Sequence, residues 1–431
     1  MRPRVAIKTV GCKSNYADTC ELTNFLESNG LKIVPFGEEA DLVIVNSCIV
    51  THRAGRDSRR ALRRGKELSS NGRAILTGCG ASPLIKDKVY EKGDDIVPMK
   101  AENIWVKIKD ILQIDHLPAS DCEETGGWSS SKRARRYVNI QKGCDNRCTY
   151  CIVPLARGKS RSLPGDEIIR RIKDLDDEGV PEVVLTGTHI GAYGKELCNT
   201  SLLSGLLYKI IKATHSIRIR LSSIEVDEID EDLISMIESE ERLCNHLHIP
   251  LQSGDDEILH KMNRWYSTSE FLEAIKRIKE ISRDICVGTD IISGFPGEGE
   301  RNFRNVLQLL TRAEIDYYHV FTYSKREGTP AAEMEEQVPE NVKRKRTRIL
   351  LNSGLDKMNN FISSQVGRVL KVVCEKVDEK SESFEGTSGN YIKVIASGNP
   401  ARAGDLIPVT IEGIINGKAR GTTRGGNSLH H

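Results

Sequence analysis

Three cysteines fall within the eight residues Cys144-Asp145-Asn146-Arg147-Cys148-Thr149-Tyr150-Cys151, after a strand-like run that includes Tyr137, Val138 and Ile140. This C-x3-C-x2-C spacing lets three thiolates close around one metal centre on a single loop. A structural zinc site takes four protein ligands, and a four-iron cluster that only carries electrons takes four thiolates. Three leave one coordination position for a small molecule, which turns an electron store into a reactive site. A zinc knuckle short of its fourth ligand and three unrelated thiols are the plainer readings. The spacing is rare by accident and favours a cluster.

The longer run GCDNRCTYCIVPLARG resembles the methylthiotransferase branch of the radical S-adenosylmethionine (SAM) enzymes. The resemblance implies a 4Fe–4S cluster on Cys144, Cys148 and Cys151 whose open iron chelates SAM. Reduction there cleaves SAM to a 5′-deoxyadenosyl radical.

Composition sets the frame. A chain of 431 residues exceeds one ordinary domain, so two or three are expected. Lys+Arg 63 against Asp+Glu 61 is nearly balanced, so any nucleic-acid affinity must come from local patches. The first ten residues carry Arg2, Arg4 and Lys8 in a strand-like run, unlike a signal peptide, and no apolar stretch approaches the roughly 20 residues that span a membrane. Twelve cysteines in such a chain point to metal binding or chemistry rather than disulfides. The expectation is a cytoplasmic metalloenzyme with no membrane partner.

From Val5 to about Leu117, strand-length apolar runs alternate with helical ones, as in an α/β layer domain. Three of the runs end in a cysteine: Val5–Cys12, Asp41–Cys48 and Ala74–Cys79. Ligands sit beyond the carboxyl ends of parallel strands, so Cys12, Cys48 and Cys79 should converge as a second three-thiolate site. Each is otherwise an inert buried thiol, the reading kept for Cys20, Cys122, Cys198, Cys244, Cys286 and Cys374. The resemblance implies a second 4Fe–4S cluster there, held in the contexts GC, N-x-C and TGC. Arg56, Arg59, Arg60, Arg63 and Arg64 recur at helical spacing after Cys48, either as a solvated face or as phosphate contacts. Lys132, Arg133, Arg135 and Arg136 form a second basic cluster, after a Gly/Ser-containing linker from Pro118 to Ser131.

Six strands, Tyr137–Gln141, Glu182–Thr186, Arg218–Ser222, His246–Leu251, Cys286–Ile292 and Tyr317–Thr322, alternate with helices from Tyr137 onward. One helix starts near Pro164 with Ile168, Ile172 and Leu175 inward; another starts after a Thr268 cap with Leu272, Ile275, Ile278 and Ile281 inward. Six βα units suit an open, three-quarter barrel with its active site at the strands' C-terminal ends. Small or polar residues at those ends are expected to bind the cofactor: Gly187, Thr188 and His189, then Ser223 and Glu225, then His248, then Gly294. The superfamily binds the SAM amino group at the first of these places. Lys343 to Arg346 and Arg348 open a long helix, expected as a solvated basic face.

Beyond Val366, five short β runs separated by turns suggest a small closed barrel, a shape often used on RNA. The resemblance implies a TRAM domain; a purely structural cap is the alternative. The α/β chain thus divides into a cluster domain (1–118), a linker (119–133), the radical SAM domain (134–365) and the TRAM-like barrel (366–427).

Within the family, TVGCKSN, NSCIVTHRA, HLHIPLQSG and YSKREGTPA look like the branch that methylthiolates threonylcarbamoyl-adenosine beside the tRNA anticodon. The isopentenyladenosine branch, and the branch acting on a ribosomal-protein aspartate, resemble it less. The implied partners are the tRNA anticodon stem-loop, an electron donor such as a flavodoxin or ferredoxin, and a sulfur source. A non-catalytic iron–sulfur protein that binds RNA or senses redox state is the competing class, and it predicts clusters without SAM cleavage.

Overall fold

The computed structural model describes residues 2–86, 88–114, 134–197, 202–398 and 402–423. Cys122, Cys198, the whole linker with Lys132 and Arg133, and the terminal His430 and His431 lie outside the described residues.

The N-terminal domain is a five-stranded parallel sheet in the order Lys32–Val34, Arg4–Thr9, Leu42–Ser47, Ala74–Gly78, Asp95–Ile96. Every residue of Leu42–Ser47 is buried, as expected of a central parallel strand covered on both faces. Helices Lys13–Ser28, His52–Leu68 and Ala101–Leu112 provide the cover. A side chain at Gly65 would come within 2.9 Å of Val43 Cγ1, so this glycine lets the arginine-rich helix lie directly on the sheet.

The central domain has the six expected parallel strands. Arg135–Lys142, Glu182–Gly187 and Arg218–Leu221 form one run, and His246–His248, Cys286–Ser293 and Tyr317–Thr322 form another. Bridges Ile219–Leu243 and Ser223–His248 join the two runs into one curved wall. The outer edge of the first strand pairs instead with the short antiparallel segment Arg161–Ser162, which sequence periodicity does not reveal, and the barrel stays open.

Helix Lys13–Ser28 lies against that first strand. Ser14 Oγ donates to Asn139 Oδ1 (3.0 Å), Asn139 Nδ2 donates to Asp18 (2.9 Å), and Lys142 pairs with Asp18 and Glu21. The cluster domain is therefore docked on the barrel through a buried polar seam.

Two helix expectations need correction. The helix Thr268–Ile281 is capped by Ser267, not Thr268, because Ser267 and Glu270 close a reciprocal capping box. Its most buried residues are Phe271, Ile275 and Ile278, with Leu272 and Ile281 only half-buried. The basic start of helix Glu340–Ser364 is not wholly a solvated face. Lys343 and Arg346 are buried; Arg346 bonds Glu298 and Glu300 at 2.8 Å, and Lys343 pairs with Glu340. The one buried carboxylate among these partners, Glu298, turns part of the charge run into packing.

The C-terminal strands Val369–Asp378, Ser383–Ser388, Lys393–Ser397, Leu406–Ile415 and Lys418–Thr423 close into a barrel. It seals the floor of the central barrel. Arg218 Nη1 donates to Lys371 O (2.7 Å), Arg220 donates to Ser388 O (2.8 Å) and Gly389 O (2.9 Å), and Tyr391 stacks on His246 at 4.3 Å. No helix is long and apolar enough to cross a membrane among the described residues.

Candidate active site

The loop after the first barrel strand is held by backbone rather than by its thiols. Gly143 has φ +77°, and a Cβ there would fall 1.9 Å from Lys159 O, so only glycine admits this turn. Cys144 N donates to Gly158 O (3.1 Å), Cys151 N to Cys148 O (3.0 Å), and Thr149 N to Met262 O (3.0 Å). The side chain of Gln141 ties this loop to the second strand end. Its Nε2 donates to Gly143 O (2.7 Å), while its Oε1 accepts from Thr188 N (3.1 Å) and His189 N (2.8 Å).

The three thiols share one pocket. Burial pushes Cys148 up, against the pull of Arg264, whose Nη1 lies 3.4 Å from its sulfur. Burial pushes Cys151 up to about 12, with Cys148 and Cys144 adding to the rise. Cys148 and Cys151 are thus poorly ionised without a cation and well suited to one, as a cluster requires. Arg264 is itself buried, bonded to Glu225 and to Tyr266 Oη (2.9 Å).

Around this pocket the strand ends carry the residues expected to bind the cofactor. Among the described residues Thr188 Oγ1 is buried without a partner, an orphan that a bound ligand would satisfy. His189 Nδ1 lies 3.8 Å from Cys144 Sγ, and its Nε2 is 2.9 Å from Glu228. Burial, which alone would lower its pKa, is outweighed by Cys144 and Glu228, and the ring is held protonated up to about 10. A Cβ on Gly187 would meet Gln141 O at 2.7 Å, so the backbone is tightly apposed there. Ser223 is exposed and bridges to His248 through the backbone. Two of the residues have other company: Gly294 is enclosed by Lys343 and donates to Glu298, and His248 turns to Asp290 (3.0 Å) and Tyr317 Oη (3.0 Å). His248, Asp290 and His319 place their heteroatoms within 4.8 Å of one another.

The second cysteine set converges as the parallel topology requires. Gly11, at φ +109°, leaves room for Cys48; a Cβ in its place would be 2.8 Å from Cys48 Sγ. Burial, then Cys79, raises Cys48 to about 12, with a further contribution from Cys12, and burial raises Cys79 against the pull of Arg157. Asn15 fastens the strand ends by donating to Val10 O (2.7 Å) and Ser47 O (3.0 Å). Cys12 is exposed while Cys48 and Cys79 are buried, which leaves one open side. Cys244, Cys286 and Cys374 are buried and Cys20 half-buried, each outside both sets.

Arg157 links the two sets. It ends the short helix after Cys151, yet its Nε donates to Cys79 Sγ (3.2 Å) and its Nη2 to Asp18 (3.0 Å) and Asn15. Sequence reasoning missed Arg157, Arg264 and Gln141; proximity of Arg157 to the cysteine motif was the only signal. The exposed arginines Arg60 and Arg64 line, with Lys8, Gly11 and Phe36, a cleft of about 450 Å³ that runs to the Cys12 edge.

An open six-stranded barrel with a three-cysteine loop after its first strand defines a radical SAM protein. Residues 138–310 match the Radical SAM superfamily, and residues 4–97 match the Uncharacterized protein family UPF0004. The chain is 34% identical to the threonylcarbamoyladenosine tRNA methylthiotransferase MtaB of Rickettsia prowazekii, over 86% of this chain and 88% of the relative. It is 33% identical to the protein of the same name in Bacillus subtilis, over 94% and 93%. A tRNA-2-methylthio-N(6)-dimethylallyladenosine synthase of Lachnoclostridium phytofermentans is also 33% identical, over 94% and 92%. The chain belongs to the radical SAM methylthiotransferase family. It is an enzyme of that type, and membership implies SAM and [4Fe–4S] clusters as its cofactors. The fold alone is shared with the radical SAM methyltransferase TsrM of Kitasatospora setae (TM-score 0.54, 13% identity, 77% of this chain and 75% of that one).

Proposed function

We propose that this enzyme replaces the hydrogen on carbon-2 of threonylcarbamoyl-adenosine, beside the tRNA anticodon, with a methylthio group. The observation that supports this best is the meeting of two three-cysteine sets across one seam, with Arg157 reaching from one loop to the sulfur of the other. Four relatives with the threonylcarbamoyladenosine name match this chain more strongly than the Lachnoclostridium relative with the dimethylallyl name.

Cys144, Cys148 and Cys151 would hold one cluster, and Cys12, Cys48 and Cys79 the other. When bound, the first with SAM supplies radical chemistry for a C–H bond that no base can open, and the second supplies sulfur. The chain's own residues do the positioning. Gly187, Thr188 and His189 would take polar groups of SAM, with the orphan Thr188 hydroxyl as donor. Glu225 holds Arg264 against the Cys148 sulfur and keeps this wall rigid, while Ser223 faces outward from the next strand end. The buried seam of Ser14, Asp18 and Asn139 fixes the distance between the two sets, which is the main service a protein renders to such a reaction.

One SAM would supply the methyl group and another the radical; an electron donor such as a flavodoxin or ferredoxin, and a sulfur source, complete the balance of the reaction, and cytoplasmic tRNA is the substrate. Nucleoside mass spectrometry of tRNA from a deletion strain tests the reading. Loss of the methylthio group from threonylcarbamoyl-adenosine is expected; its loss from dimethylallyl-adenosine instead would overturn the assignment.

A further inference from the structure

Lys13 follows Cys12 directly and begins the helix docked on the first barrel strand. Its ammonium reaches to within 5.7 Å of the ring centroid of Tyr391, on the domain that seals the barrel floor. Lys13 thus spans from the sulfur-bearing edge into the lumen. Among the described residues it has no hydrogen-bond or ion-pair partner, although Asp290 and Glu182 act on it electrostatically from beyond pairing distance.

The carboxylates nearby are already engaged. Glu182 is shared by Arg135 (3.4 Å), Arg218 (2.6 Å) and Arg220 (2.8 Å). Asp290 is met by His248 Nε2 (3.0 Å) and by His319 Nδ1 (3.2 Å), and the His319 side chain is 48% exposed toward open space. Lys13 is thus a half-buried cation without an anion of its own among the described residues, and the Asp290 that acts on it is shared with a half-open histidine, His319.

We infer that Lys13, together with the His319–Asp290 pair, forms a subsite for the carboxylate of the substrate's N6 side chain. The inference rests on the proposed function, in which that side chain is threonylcarbamoyl. Lys13 would pair with the carboxylate, and Asp290 would accept a hydrogen bond from the side chain's hydroxyl or N–H. An apolar dimethylallyl group would bring no anion and would leave the ammonium desolvated, so the same subsite would select against it. Residue 13 then reads the substrate while residue 12 holds the metal.

The test uses full-length, cluster-loaded enzyme, with equal iron content confirmed for every variant. Three anticodon stem-loops are compared: one with the threonylcarbamoyl acid, one with its methyl ester, and one with dimethylallyl-adenosine. Wild type should bind the acid about tenfold more tightly than the ester, the scale of a hydrogen bond to a charged group. Lys13→Gln should erase that difference, and Lys13→Arg should restore part of it. His319→Ala, farther from the cysteines, should reduce it. Equal wild-type affinity for acid and ester overturns the inference, and so does a Lys13→Gln variant whose main loss is in SAM affinity, because the lysine would then serve the SAM carboxylate. Turnover of the dimethylallyl stem-loop in place of the acid would instead overturn the substrate assignment itself.

Discussion

Arg157 donates from Nε to Cys79 Sγ across 3.2 Å, joining two loops 78 residues apart in sequence. Groups that hydrogen-bond metal-bound sulfur tune affinity and potential, and removing one typically costs about 10–100-fold. Arg157→Ala should therefore weaken retention of the N-terminal cluster and shift its EPR spectrum and midpoint potential, leaving the cluster on Cys144, Cys148 and Cys151 spectroscopically unchanged. Arg157→Lys, which keeps charge but not the fork, should lie between. Identical spectra for Arg157→Ala and wild type would reduce the contact to packing.

The two cysteine sets lie on separate domains and should load independently. Changing Cys12, Cys48 and Cys79 together to Ala should lower iron from about eight atoms per chain to about four, as should the matching triple change at Cys144, Cys148 and Cys151. The first variant should still form 5′-deoxyadenosine but no methylthio product; the second should form neither. Iron counting with product analysis after anaerobic reconstitution decides, and a full iron complement in the first variant would make those cysteines ordinary core thiols.

Arg60 and Arg64 line the cleft that runs to Gly11, and Arg63 is exposed on the same helix. If they bind tRNA phosphates, changing all three to Ala should flatten the log–log salt dependence of tRNA binding by about 0.7–0.9 for each phosphate that is no longer neutralised. An unaltered slope would return this helix to a solvated face.

Glu182 is fully buried under three arginines, and although burial alone would raise its carboxyl, Arg220 and Arg218 hold it well below the usual range. A carboxyl depressed in the folded state contributes stability above its unfolded pKa and loses it as pH falls. Wild type should thus lose thermal stability progressively below about pH 4.5, where unfolded glutamate begins to protonate. Glu182→Gln should be destabilised by about 3–5 kcal/mol at neutral pH, because the arginines are left unpaired, and its Tm should depend less on acid. Melting curves across pH check both; equal acid sensitivity of variant and wild type would remove Glu182 from the account.

Much of the layout was legible because strand length, helix periodicity and turn residues repeat. All six barrel strands, the closed C-terminal barrel and the three strand-end cysteines lie where their local patterns put them. What escaped depends on distant partners. Lys343 and Arg346 read as solvent-facing until Glu298 and Glu300 meet Arg346, and Ser267 outcompetes Thr268 only because Glu270 reaches back to it. Arg157, Arg264 and Gln141 are ordinary polar residues in sequence; only the approach of separate loops gives them sulfur atoms and backbone amides to hold.

The bonds from Arg218 and Arg220 to the carbonyls of Lys371, Ser388 and Gly389 bear on how such chains can be recombined. A terminal module tethered only by a linker could be traded between relatives to change the RNA bound. Here the trade would also remove the acceptors of two lumen arginines and the ring that covers His246. A chimera with a foreign C-terminal barrel would therefore inherit a damaged reaction chamber unless the loop at 388–391 travelled with its own barrel floor. The C-terminal module and the catalytic barrel are bound to diverge as a matched pair.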